Sequence, residues 1–175
     1  MIHAILFAAL LQTVPPAAPP AAPPPPPVDC ADADHSAFNF WVGDWDVSAT
    51  GTAAVVARST ISSTAGGCAI EEDYRQTVGP GGAPATYHGV SFSAYDARRG
   101  GVWRQFYMDS GGAVTVFEGG PRDGAMVLEA PGRPGTIQRM TVSPEPDGSV
   151  RQRGESSTDD GVTWTPGYDF TYRRR

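Results

Sequence analysis

The sequence predicts an all-β chain closed into an antiparallel up-and-down barrel of about ten strands, preceded by a short N-terminal helical turn. Three observations carry this. Short runs rich in β-branched and aromatic residues recur about every 9–13 residues from position 44 onward. Clusters of Gly, Pro, Asp and Ser separate them. No helical pattern alternates with the strands, which excludes a parallel sheet. Closure follows from edge chemistry: an open sheet leaves two unpaired edges, whereas a barrel leaves none and encloses room for a small ligand.

Along the chain, Met1 to Leu11 is apolar but too short to span a bilayer, and it suits the core of a secretory signal. Residues 1–14 are therefore expected to be a signal peptide, and the product periplasmic or secreted. Nine of the 17 prolines fall between Pro15 and Pro27, so residues 15–29 read as an extended, disordered Pro/Ala linker. Residues 30–175 remain as a single domain, long enough to bury a hydrophobic interior. Asp34 or Ser36 is expected to cap a helical turn over 34–40. Strands are expected over 44–50, 53–63, 67–77, 85–95, 101–109, 112–118, 124–130, 135–143, 148–157 and 162–173. Gly79–Gly82, Asp96–Gly101, Ser110–Gly112, Gly119–Gly124, Pro131–Gly135, Pro144–Gly148 and Asp159–Gly161 supply turns between them.

Composition narrows the partners. The net charge is −6, every basic residue is Arg, and no basic stripe occurs, which argues against nucleic acid. Beyond the signal no segment is apolar enough to span a membrane. Cys30 and Cys68, an even pair behind a secretory leader, read as one disulfide stapling the N-terminal arm to the barrel wall; two unpaired thiols are the alternative.

Several motifs, in order, resemble one family. They are Phe38-x-Phe40-Trp41-x-Gly43-x-Trp45-Asp46-Val47, Gly67-Cys68-x-Ile70-Glu71-Glu72, Gly89-x-Ser91-x-x-x-Tyr95-Asp96, Trp103-Arg104-Gln105-x-Tyr107-x-Asp109-x-x-Gly112, Arg139, Gly148–Gln152, Asp160-Gly161-x-Thr163-Trp164 and Tyr172-x-Arg174. Over residues 30–175 the chain looks like the bacterial domain of unknown function 1579. That resemblance implies a calycin-like barrel, similar to fatty-acid-binding proteins and nitrobindins, in which a G-x-W step opens the first strand. It implies no established activity. Haem binding in the nitrobindin manner needs a histidine from the C-terminal part of the barrel; the histidines here are His3, His35 and His88, so no haem or other cofactor is expected.

Residues 103–109 alternate, so Trp103, Gln105 and Tyr107 share one strand face. The preceding strand puts Gly89, Ser91, Ser93 and Tyr95 on one face. Small residues beside polar aromatics make the wall of a pocket. Trp103, Gln105, Tyr107, Ser91, Tyr95 and Gln152 are thus the expected ligand-binding residues, for a small hydrophobic or amphipathic molecule. The opposite face carries Val90, Phe92, Phe106 and Met108 and is also apolar, so the alternative is that these residues are core and the Gln105 face meets solvent. With the Trp103/Gln105/Tyr107 face inward they form an outer patch suited to an interaction module or homodimer. Phe40, Trp41, Gly43 and Trp45 are expected to plug the barrel floor, with Arg139 covering the Trp45 ring. An enzyme is the second functional reading, with acid or base chemistry from Tyr107, Asp109, His88 or Glu72. Glu71-Glu72-Asp73 reads first as a solvated face, then as a partner for an Arg such as Arg104. No metal site is expected, because no Cys or second His stands at ligand spacing from His88.

Overall fold

A computed structural model describes residues 28–175; the expected signal peptide and all but the last two residues of the expected linker lie outside the described residues. Ten antiparallel strands form the wall: β1 (Gly43–Ala49), β2 (Val55–Thr64), β3 (Ala69–Val78), β4 (Pro84–Asp96), β5 (Val102–Asp109), β6 (Val114–Arg122), β7 (Ala125–Pro131), β8 (Ile137–Pro144), β9 (Val150–Ser157) and β10 (Thr165–Arg174). Each pairs with its sequence neighbour, and β10 returns to β1 from Trp45↔Arg174 to Ala49↔Phe170, closing the barrel. All ten expected strands are present, as the fold class predicted.

The boundaries move where local chemistry outweighs β-propensity. β3 starts later than expected because Ala65–Gly67 turn through positive φ. β10 starts later because Asp159 accepts bonds from the Thr163 N–H and hydroxyl, holding 159–163 as a loop. β6 runs on through Gly119–Arg122, which the Gly and Pro content had suggested was turn. The real turn is Asp123-Gly124, with φ of 52° and 80°, the mirror-image geometry a two-residue hairpin requires. Gly119 belongs inside the strand because a Cβ there would lie 2.1 Å from the Val127 carbonyl oxygen.

Up-and-down order gives the barrel two different ends. The N-terminal arm, the β2–β3 loop and the start of β1 share one end; the β3–β4, β5–β6, β7–β8 and β9–β10 loops share the other. The arm fills its end. Its helix α1 (Ala33–Ser36) is capped by Asp32, which accepts from the His35 N–H at 2.8 Å, so neither Asp34 nor Ser36 is the cap. A 3₁₀ turn at Asn39–Trp41 then inserts the plug. Phe38, Trp41 and Trp45 are fully buried, Phe38 stacks on Trp41 at 5.1 Å, and Trp45 Nε1 donates to the Trp41 carbonyl at 2.9 Å. Rings of this size contribute roughly 4 kcal/mol each by area, which anchors the arm. Cys30 bonds to Cys68, tying the same arm to the β2–β3 loop.

The residue covering Trp45 is not Arg139. Arg174 lies 4.5 Å from the Trp45 ring centroid and donates to the Val42 carbonyl at 3.2 Å. Register explains it, since Trp45 and Arg174 are paired across β1 and β10. The G-x-W step also gains a physical reason: a Cβ on Gly43 would lie 2.4 Å from Arg174 Nη1 and 3.2 Å from the Trp45 ring, so Gly leaves the space both groups occupy. Arg139 instead sits in β8, paired with Glu155 at 2.9 Å beneath the Trp164 ring at 3.8 Å.

Candidate functional site

Above the plug the barrel is hollow. A cavity of about 600 Å³ reaches from the plug to the opposite end, where Arg133, Thr136, Ser156 and Gly167 form its mouth. That volume is in the range of small-molecule sites. Alternation sets the lining. In β3, Ile70, Glu72 and Tyr74 are buried while Glu71, Asp73 and Arg75 face outward to differing degrees. In β5, Trp103 and Gln105 are buried and Phe106 is half exposed. The Trp103/Gln105/Tyr107 face therefore points inward, and Phe92, Phe106, Val114 and Val116 make an exposed apolar patch outside.

Of the expected ligand-binding residues, Gln105, Tyr107 and Gln152 line the cavity. Ser91 is buried in the wall, cross-paired with both Glu72 and Tyr107. Trp103 and Tyr95 point inward but at the plugged end, below the cavity. Trp103 packs edge-on to Phe38 at 5.7 Å and donates Nε1 to the Asp34 carbonyl at 3.1 Å. Tyr95 packs edge-on to His35 at 5.0 Å. Strand alternation places a residue on the inner face but not at a height along the axis; these two belong to the arm's socket.

The floor of the cavity is polar. Glu72 is 4% exposed and receives the Ser59 hydroxyl at 2.8 Å on Oε1. Tyr172 lies 3.4 Å from the same oxygen but has a nearer acceptor, Gln152 Oε1 at 2.9 Å. A phenol has one proton to give, so Ser59 is the main donor to Glu72. Burial pushes the Glu72 carboxyl up to about 7, against the opposing hydrogen bonds from Ser59 and Tyr172. The expectation that Glu71-Glu72-Asp73 is a solvated run thus fails at Glu72. Arg104 is engaged elsewhere, with Asp96 and, at 2.8 Å, Glu118.

Tyrosines dominate the walls. Tyr74, Tyr87, Tyr107, Tyr168 and Tyr172 all line the space. Near the mouth, Tyr87 donates to Asp109 Oδ2 at 3.1 Å, so the close Tyr87–Tyr107 contact has Tyr107 as donor. Asp109 is held in turn by the Gly111 and Ala113 N–H groups at 2.8 and 3.1 Å. Burial raises Tyr74, Tyr87, Tyr107 and Tyr172, which keeps these phenols neutral and hydrogen-bonding at physiological pH. Gly89 makes this possible, because a Cβ there would lie 2.4 Å from the Tyr107 hydroxyl. Likewise the Tyr168 ring lies flat on Gly154, where a Cβ would come within 2.0 Å of it.

His88 faces outward, 3.1 Å from Asp73, which also binds Arg75 at 2.8 Å. It is no part of the cavity. Among the described residues no group of three or more His, Cys, Asp or Glu is placed to hold a metal ion.

Sequence reasoning named Glu72 only as an acid–base candidate of the second reading and otherwise as part of a solvated run, and it missed Tyr74, Tyr87, Tyr168 and Tyr172 as lining residues. The signal was present as alternation: Ile70-x-Glu72-x-Tyr74 and Tyr168-x-Phe170-x-Tyr172 each put their residues on one face. The site defines a class: a closed antiparallel barrel, plugged at one end and hollow at the other, with a tyrosine-walled cavity over a buried carboxyl. Compared with known proteins, the chain matches no protein-family model and no curated protein.

Proposed function

We propose that this chain is an exported small-molecule-binding barrel of the domain of unknown function 1579 family. The observation that carries the binding reading is the cavity of about 600 Å³ above the aromatic plug, lined by apolar rings with inward hydroxyls. Such a surface suits a moderately apolar ligand with one or two polar groups. The Cys30–Cys68 disulfide supports export, since such bonds persist in oxidising compartments. The ordered motifs from Phe38 to Arg174 support the family.

Binding is tested with the full chain by native mass spectrometry, first as purified and then with 2-(1-naphthyl)ethanol, a neutral amphipathic probe. One molecule per chain is expected. Thr115 lines the cavity, and Thr115→Trp places a large ring in that space; it should abolish binding. Undiminished binding to this variant would move the ligand to the outer Phe92–Phe106 face and refute the reading.

Acid–base catalysis is the second reading, and a buried carboxyl with a pKa near neutrality is the observation in its favour. Its support is thinner than a catalytic pair requires. The surrounding phenols are pushed away from neutrality, and His88 lies outside.

A further inference from the structure

Glu72 is a carboxyl that the protein itself leaves uncompensated. None of the ion pairs among the described residues involves it. The hydroxyls that approach it, Ser59 and the more distant Tyr172, both lie on Oε1, leaving Oε2 without a donor from those residues. The elements around it bring only neutral groups: Ser59 from β2, Tyr74 from its own strand, Ser91 from β4, Tyr107 from β5, Gln152 from β9 and Tyr172 from β10. Asp73, next in sequence, faces outward and is tied to Arg75 and His88. The lining cations are distant in role: Arg139 is committed to Glu155 and Trp164, and Arg133 stands at the mouth. The only other carboxylate without an arginine partner in the lining, Asp109, is held by Tyr87 and two backbone N–H groups.

An anionic ligand reaching the floor would meet Glu72 with no guanidinium to receive it. A cation would meet a carboxyl and the electron-rich faces of several phenol rings, the combination that recognises ammonium groups. We infer that the cavity takes an amphipathic organic cation, an amine whose protonated nitrogen rests at Glu72 and whose apolar body lies among the tyrosine rings. This rests on the small-molecule reading above and names the ligand class for the same site.

The ion pair needs Glu72 ionised and the amine protonated. Aliphatic amines stay protonated to about pH 10, so the pH dependence comes from the carboxyl. With Glu72 at about 7 in the empty protein, affinity should rise about tenfold from pH 6 to pH 8.

Three isosteric probes test the inference by isothermal titration calorimetry on the full chain: 2-(1-naphthyl)ethylamine, 2-(1-naphthyl)ethanol and 1-naphthylacetate. At pH 8 the amine is expected to bind at least about tenfold more tightly than the alcohol, and the acetate most weakly. The amine's affinity should fall about tenfold between pH 8 and pH 6, while the alcohol's stays level. In Glu72→Gln the amine should lose its advantage and its pH dependence, with alcohol binding retained. Equal affinity for amine and alcohol in the wild type would overturn the cation assignment while leaving the small-molecule reading intact. So would amine selectivity that survives Glu72→Gln. Failure of all three probes to bind the wild type would count against both readings. The amine-to-alcohol ratio and the pH series need only the wild-type protein, so they decide the matter even where the variant folds poorly.

Discussion

Replacing Glu72 by Gln should change how stability depends on pH, and the size of the change follows from where the carboxyl sits. In the unfolded chain Glu72 titrates near its ordinary value of 4.5; in the barrel, burial holds its proton to about 7. Below about pH 4.5 both states are protonated and the burial carries no ionic penalty. Between 4.5 and 7 the folded protein keeps a proton that the unfolded chain has released, so stability falls as pH rises. Above 7 the folded protein carries the full cost of a buried charge. At about 1.4 kcal/mol per pH unit, the loss across this window is roughly 3 kcal/mol. Gln keeps an oxygen for the Ser59 hydroxyl and cannot ionise. The stability difference, variant minus wild type, should therefore climb by roughly 3 kcal/mol from pH 4.5 to pH 8. Urea unfolding followed by tryptophan fluorescence reads this well, because Trp41, Trp45 and Trp103 are all buried. Asp32, Asp73, Asp147, Asp159 and Asp169 are held below the usual carboxylate range by hydrogen bonds. Their contribution is present above an unfolded value of 3.8 and is lost as pH falls through their lower folded values, outside the window and common to both proteins. A difference that stays flat within about 1 kcal/mol from pH 4.5 to 8 would show that Glu72 is solvated and the reasoning wrong.

Three further outcomes are expected. Cys30→Ser with Cys68→Ser, or reduction of the wild type, should lower stability by up to roughly 4 kcal/mol for a closed loop of 38 residues, read as a shifted urea midpoint; an unchanged midpoint would mean that the arm holds without its staple. Arg174→Ala should disturb Trp45 and cost about 0.5–2 kcal/mol, whereas Arg139→Ala should alter the environment of Trp164 and leave Trp45 alone; single-tryptophan backgrounds separate the two signals. Gly89→Ala should displace the Tyr107–Tyr87 pair, cost about 1–3 kcal/mol through overpacking, and weaken naphthylethanol binding; equal binding would place the ligand clear of that wall.

The strand pattern was legible because its signals are local. Alternation, β-branched content and turn residues lie within ten positions of one another, and they located all ten strands; which face of β5 points inward stayed open, because Phe106 and Met108 make the opposite face apolar as well. The Cys pair was legible for a similar reason, as an even count of two in the sequence. The misses needed contacts far apart in the chain. Arg174 rather than Arg139 covers Trp45 because closure pairs β1 with β10, a register that no short window contains. Glu72 looked like one carboxylate in a solvated run; its neighbours Ser59 and Tyr172 lie 13 and 100 residues away.

The chain by itself determined the architecture, because period-two alternation and turn chemistry are properties of adjacent residues and ten such strands have edges to hide. The opening Phe38–Val47 stretch marked the plug through its ring content alone. Only the tertiary structure decided which inward residues face the void and which face the plug. Trp103 and Gln105 sit two positions apart on the same face, yet one meets Phe38 and the other the cavity. Height along the barrel axis depends on where the arm enters and how deep it reaches. Burial then turned one glutamate among three acidic neighbours into an uncompensated carboxyl, and that environment is a property of the closed barrel alone.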